Sequence, residues 1–76
     1  MTYAQFTFGC IVDGGEVAYF TARNEYEAAQ LAARDHYANA PADSYRVVVV
    51  NEQKARHEYI INRHIEFHGS LIHVTS

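Results

Sequence analysis

Residues 3–22 read YAQFTFGCIVDGGEVAYFTA, and this stretch decides the fold. Apolar and aromatic residues recur at every second position on both sides of Asp13-Gly14-Gly15, and a period of two is typical of β-strands. Glycine accepts positive φ at little cost, so Asp13-Gly14-Gly15 predicts a tight turn. We therefore expect a strand over residues 3–12 and a return strand over 16–22, joined as a hairpin.

A helix is predicted directly after the hairpin, ending at Tyr37 or Ala38. Asn24 can accept hydrogen bonds from backbone N–H groups of the first turn, and Glu27 stands three residues later, as in a capping box. The segment is rich in alanine, leucine, glutamine, glutamate and arginine, which favour helix. One side of this helix is expected to face the sheet, and it carries Ala28, Ala29, Leu31, Ala32 and His36.

The second half of the chain reads mainly as strands. Pro41 cannot continue the helix, so residues 39–44 are predicted to form a loop before a strand over 45–50. A polar turn over 51–54, an alternating strand over 55–67, a tight turn at Gly69-Ser70 and a short strand over 71–74 complete the pattern. The expected fold is a single α+β domain over residues 1–76. It consists of an antiparallel sheet of four to five strands with one helix packed on one face, in the order ββαββ or ββαβββ.

Composition narrows the functional classes. The chain has 76 residues, a net charge of −3 and one cysteine, Cys10, so it cannot close an internal disulfide. An acidic balance argues against direct nucleic-acid binding, which normally shows a basic patch. No apolar run approaches the roughly 20 residues that span a bilayer, and the first five residues lack the pattern of a signal peptide. We therefore expect no membrane association and a cytoplasmic location.

One helix covers one face of a sheet, and the other face is predicted to be unusually apolar. A sheet face that meets water should be mostly polar. Here the opposite parity carries Tyr3, Ile11, Val17, Tyr19, Val48, Val50 and Ile60, with Gln5, Thr7, Arg46 and His64 among them. This pattern predicts that the uncovered face is buried in a homodimer or against a partner protein.

The six tyrosines also favour an interaction protein, because tyrosine combines a large contact area with a polar tip. Two groups of residues are candidates for contacting a partner. The first group lies on the helix surface and contains Tyr26, Glu27, Gln30, Arg34 and Tyr37; the second lies on the uncovered sheet face and contains Tyr3 and Tyr19.

Catalytic patterns are not found in the sequence, so we expect no enzyme activity and no cofactor. Cys10 lies on the apolar parity of the first strand, which is typical of a small buried residue. The glycines are expected to serve turns or a bulge, because their spacing differs from that of a phosphate-binding loop. Two alternatives stay open. One is a metal or small-ligand sensor that uses the histidines His36, His57, His64, His68 and His73; the other is a nucleic-acid module assisted by Arg46, Arg56 and Arg63.

The whole layout resembles that of small proteins encoded by phages and mobile elements, including anti-CRISPR inhibitors. The likeness rests on the hairpin around Asp13-Gly14-Gly15, the helix start over 24–29 and the strand over 45–50. Such proteins are short, acidic and poor in cysteine. The resemblance implies a stoichiometric inhibitor that docks on a host CRISPR effector complex in the host cytoplasm and blocks nucleic-acid access or nuclease recruitment.

Overall fold

The α+β fold expected from the sequence is confirmed by the computed structural model, which describes residues 5–62 and 68–75. For residues 68–75 it gives the backbone, together with the side chains of Leu71, Ile72 and Val74. The elements follow the longer of the two expected orders: β1 (Phe6–Val12), β2 (Val17–Ala22), α1 (Glu25–Tyr37), β3 (Ser44–Val50), β4 (Arg56–Asn62) and β5 (His68–Thr75). All strand pairs are antiparallel, in the spatial order β2-β1-β3-β4-β5.

The first hairpin turns at Asp13-Gly14-Gly15, as the sequence predicts, and the register that pairs Ile11 with Val17 leaves these three residues in the loop. Asp13 and Gly14 have positive φ angles of 50° and 74°, the sign that a type I′ turn requires at both central residues. Gly15, the third residue of this loop, donates its N–H to the carbonyl of Val12 at 3.0 Å. The carboxylate of Asp13 also accepts the N–H of Arg46 at 2.9 Å, which ties the turn to β3.

The helix begins where the sequence predicts, with one change in its cap. Asn24 is the N-cap, and its side-chain oxygen accepts the N–H of Glu27 at 2.8 Å. The return bond of the expected capping box is different, because Glu27 accepts the N–H of Arg23 at 3.2 Å rather than that of Asn24. The Glu27 carboxylate also accepts from the Arg23 guanidinium at 2.8 Å. Glu27 therefore binds both the backbone N–H and the side chain of Arg23, the residue before the cap.

Alanines allow α1 to lie close to one face of the sheet. Ala33 is buried on α1, although it was not among the residues predicted to face the sheet. Leu31 was among them and is only partly buried. The sheet side of the core follows the expected parities. Its buried members are Phe8, Cys10, Val12, Ala22, Tyr45, Val47, Val49, Tyr59 and Ile61.

The last part of the sheet corrects the prediction. Gly69 and Ser70 are not a turn; they lie within β5 and pair with Ile61 and Ile60. The long strand expected over 55–67 ends at Asn62, and residues 63–67 lie outside the described part of the chain. Glycine and serine favour turns through their local backbone preferences, but pairing with β4 holds them in a strand here.

Candidate functional site

The face of the sheet opposite α1, called the open face below, carries an apolar stripe across its strands. Ile11 on β1 pairs with Val17 on β2 and with Val48 on β3, so the three side chains lie next to one another. Val17 is 48% exposed. Ile60 on β4 pairs with Arg46 and extends the apolar surface beyond β3. The predicted apolar face is therefore present in the described strands.

A groove crosses the open face above Gly9. It has a volume of about 300 Å³ and is lined by Thr7, Gly9, Val17, Tyr19, Val50 and Asn51. The sequence predicted that the glycines serve turns or a bulge. Gly9 instead lies in the regular part of β1, where it pairs with Tyr19 and Val50. A Cβ at Gly9 would stand 3.2 Å from Val17 Cγ2 and 3.4 Å from Tyr19 Cε1. The missing side chain is therefore what lets these two neighbours lean across the strand.

Tyr19 is the most prominent side chain of this surface. It is 71% exposed, although the edge of its ring rests on Gly9. An exposed aromatic ring next to an apolar groove is the arrangement that interaction hot spots favour. Of the two predicted sheet-face tyrosines, Tyr19 thus has the expected exposure, and Tyr3 lies outside the described residues.

One ion pair gives the open face a polar element. Arg46 Nη1 lies 2.8 Å from Glu58 Oε2, and both residues have the same parity as Val48 and Ile60. The Arg46 side chain is 59% exposed, so water screens the pair and its contribution to stability is below about 1 kcal/mol. Its more important effect is to fix a positive and a negative group at known places among apolar neighbours.

The residues predicted on the helix surface are more involved in the fold than expected. Tyr26 is half-buried, and its ring centroid lies 5.7 Å from that of Tyr59. Tyr37 is partly buried against the core, and Glu27 holds Arg23. Two further candidates, Gln30 and Arg34, are half-buried and exposed, respectively. Contact between these helix residues and a partner stays a prediction.

A polar cluster joins the start of α1 to the turn between β3 and β4. Glu25 Oε2 accepts from Asn51 Nδ2 at 3.0 Å and lies 3.7 Å from His57 Nε2. The hydrogen bond from Asn51 is the main reason that the pKa of Glu25 is lowered, and the charge of His57 adds to it. Asn51 Oδ1 accepts the N–H groups of Gln53 and Ala55, each at 3.0 Å. Both ends of the Asn51 amide are thus used to hold the backbone and the helix start.

This cluster borders a second groove of about 240 Å³. Its lining residues are Phe6, Phe8, Arg23, Glu25, Asn51, Glu52 and Gln53. Burial, followed by the charge of Glu25, raises the pKa of Tyr59 on the neighbouring strand. The carboxylate and the amide of the cluster are bound to one another, which suits a structural role at the end of the sheet.

The alternative of a metal sensor receives no geometric support from the described residues. Within 5–62 and 68–75, no three His, Cys, Asp or Glu side chains are grouped so that they could hold a metal ion. His64 and the side chains of His68 and His73 lie outside the described set.

Cys10 is 1% exposed, and burial raises the pKa of its thiol to about 12. A thiol with this pKa stays protonated and is a poor nucleophile.

Comparison with known proteins assigns no family. No family model matches the chain, and neither a curated protein nor a solved structure shows significant similarity to it. In the described part of the chain, no helix has the length and the apolar character needed to cross a membrane.

Sequence reasoning predicted the members of the apolar stripe but missed the groove above Gly9. The available signal was a glycine in the middle of a strand pattern, which often marks the close approach of another group. The groove depends on Val17 and Tyr19 being cross-strand neighbours of β1, and on Val50 flanking Gly9 from β3. Pairing with two different strands cannot be read from the residues around Gly9.

Proposed function

We propose that this chain is a non-catalytic protein-binding module and that it docks on a partner protein through the open face. The observation that supports this proposal is the exposed Tyr19 ring beside the groove above Gly9, in line with the apolar stripe of Val17, Ile11 and Val48. Hot spots of protein interfaces combine an aromatic anchor, a nearby pocket and apolar surroundings in the same way.

The open face is large enough for a specific interface. Five strands spaced by about 4.8 Å, each about seven residues long at about 3.3 Å per residue, give a face of about 24 by 23 Å. This is about 550 Å² of geometric area, and a biological interface needs about 500 Å² from each partner. Docking over the whole face would bury about 1,100 Å² from the two partners together, which clears the roughly 1,000 Å² of a biological interface and lies in the range of transient complexes.

The chemistry of the face indicates what kind of surface fits it. The partner surface would be flat and mainly apolar, and one aliphatic or small aromatic side chain would enter the groove between Tyr19 and Val50. The fixed charges of Arg46 and Glu58 favour a partner with charges in the opposite order at that place. The resemblance to phage-encoded inhibitors makes a CRISPR effector complex the partner to test first.

Capture of a purified CRISPR effector complex by the tagged chain, followed by calorimetry, tests the proposal. We expect stoichiometric binding and a loss of about 2 kcal/mol, or about 30-fold in Kd, for Tyr19→Ala. Gly9→Ala places a methyl group 3.2 Å from Val17 Cγ2 on the floor of the groove, so Val17 and Tyr19 must shift and binding should weaken; circular dichroism checks that the variant stays folded.

Arg34→Ala on the exposed helix surface is the matched comparison. Binding that is lost with Arg34→Ala but retained with Tyr19→Ala would move the interface to the helix and overturn the proposal. Light scattering over a concentration series tests a second copy as the occupant. A dimer that dissociates with Tyr19→Ala would show that the open face serves self-association and not a foreign partner.

A further inference from the structure

β2 is an edge strand without the features that normally protect a sheet edge. Natural edges carry lysines, prolines or bulges that prevent another strand from pairing. The six residues of β2, VAYFTA, contain neither a charged residue nor proline, and they pair with β1 in an unbroken register of six residues. The other edge strand, β5, is interrupted by an extra residue, Ile72, between the partners of Tyr59 and Glu58. Of the two edges, β2 is therefore the regular one.

A groove runs along the helix side of β2. Its volume is about 260 Å³, and its floor contains Cys10, Ala18, Phe20 and Ala32. It exists because Ala18 and Ala32 are too short to fill the space between the sheet edge and α1. Glu16 and Asp35, both exposed, line its rim together with His36. No ion pair of the described residues involves Glu16 or Asp35.

A strand added to β2 would meet two different environments. Side chains of a strand alternate between the two faces of its sheet. One set would lie over the groove, where the aliphatic stem of a lysine or arginine contacts Ala18 and Phe20 and its charge reaches Glu16 or Asp35. The other set would continue the open face beside Val17 and Tyr19, where apolar side chains fit.

We propose that β2 accepts an extended segment of a partner protein in which basic and apolar residues alternate. The segment adds a sixth strand to the sheet, with its basic residues over the acidic rim of the groove. A second copy of this chain fits less well, because its own β2 would bring Ala18 and Phe20 to the groove side and no cation. The inference rests on the proposed function as a protein-binding module and specifies a partner for the edge next to the open face.

A synthetic peptide of about eight alternating valine and lysine residues, with blocked ends, is a direct probe. A peptide of the same composition with all valines before all lysines is the control for unspecific attraction. In fluorescence anisotropy we expect the alternating peptide to bind at least about tenfold more tightly than the block peptide, a gap of about 1.4 kcal/mol. Hydrogen exchange should show added protection at β2 amides and not at β5.

Three variants test the role of the rim. Glu16→Gln and Asp35→Asn should each weaken binding of the alternating peptide by about two- to fivefold, as expected for exposed ion pairs. Glu52→Gln makes the same charge change on the distant β3–β4 turn and should leave binding unchanged. Ala18→Lys places a lysine side chain in the groove and should abolish binding, because it occupies the space of the peptide's basic residues. The fold should be retained, because the new ammonium group can reach the acidic rim.

Equal binding of the two peptides, or equal effects of Glu52→Gln and Asp35→Asn, would overturn the inference in favour of general electrostatic attraction. Protection at β5, or at β2 in the absence of peptide as concentration rises, would assign the edge to another site or to self-association and would overturn it as well. The proposed function is tested separately, by binding of the effector complex to Tyr19→Ala, whereas the rim variants Glu16→Gln and Asp35→Asn test only this inference.

Discussion

Replacement of Tyr45 by phenylalanine should destabilise the fold through a single hydroxyl group. Tyr45 is 1% exposed on β3, and its ring centroid lies 5.5 Å from that of His36 on α1. Its hydroxyl donates to the carbonyl of Ala40 at 2.8 Å and accepts the N–H of Ala42 at 2.9 Å. The side chain therefore fastens the loop between α1 and β3 to the core from inside.

The expected cost follows from these two hydrogen bonds. Each contributes about 0.5–1.5 kcal/mol net, and an unsatisfied buried group costs about 1–3 kcal/mol. Ala40 and Ala42 are exposed, so water can replace part of what the hydroxyl supplied, and we expect a loss of about 1–2 kcal/mol. For 76 residues the whole free energy of unfolding is about 4–11 kcal/mol. Since 1 kcal/mol shifts Tm by about 4–8 °C at this size, Tyr45→Phe should lower Tm by about 5–15 °C.

Urea unfolding followed by far-UV circular dichroism measures this change. The midpoint should fall while the m-value stays constant, because the surface exposed on unfolding is unchanged. Tyr19→Phe removes the same hydroxyl from a side chain that is 71% exposed, and it should change the free energy of unfolding by less than about 0.5 kcal/mol. The reasoning is refuted if Tyr45→Phe unfolds at the wild-type midpoint, or if the Tyr19 control costs as much.

Two further predictions concern titratable groups. The folded-state pKa of Glu25 is lowered from 4.5, so its contribution to stability is present above pH 4.5 and is lost as pH falls through the folded pKa. Glu25→Gln should therefore flatten the acid limb of a stability–pH curve from urea titrations, and an unchanged limb would contradict a role for this carboxylate. Burial raises the pKa of Cys10 to about 12, so a chromogenic disulfide reagent at pH 8 should react with it only on unfolding. A native rate close to that of a free thiol would mean that Cys10 is accessible.

Local pattern was sufficient for most elements of the fold. The alternation of Phe8, Cys10 and Val12 predicted which side of β1 is buried, because a strand exposes successive side chains to opposite faces. Asn24 predicted the helix start, because its side chain satisfies a first-turn N–H that the helix itself leaves unbonded. The same local reasoning was wrong at Gly69-Ser70, where pairing with β4 overrides turn propensity.

Only some features of the candidate surfaces could be predicted from the sequence. The apolar parity that includes Val17 and Tyr19 was visible, and so was the number of tyrosines. The different environments of the tyrosines could not be predicted, because they depend on tertiary contacts. Tyr26 packs against Tyr59 at the edge of the core, whereas Tyr19 is exposed on the open face. The sequence also did not show which strands form the edges of the sheet. In the structure β1 lies between β2 and β3, although β2 comes between them in the chain, and β2 is therefore at an edge.

The sequence by itself determined the hairpin, the helix after it, the parities of the strands and a cysteine with no partner for an internal disulfide. These depend on residues close in the chain, through backbone propensity, capping and alternation. Tertiary structure decided the strand order, the groove above Gly9 and the acid-rimmed groove beside β2. Each of these joins residues from elements distant in sequence, and such pairings are chosen by the packing of the whole chain rather than by any local preference.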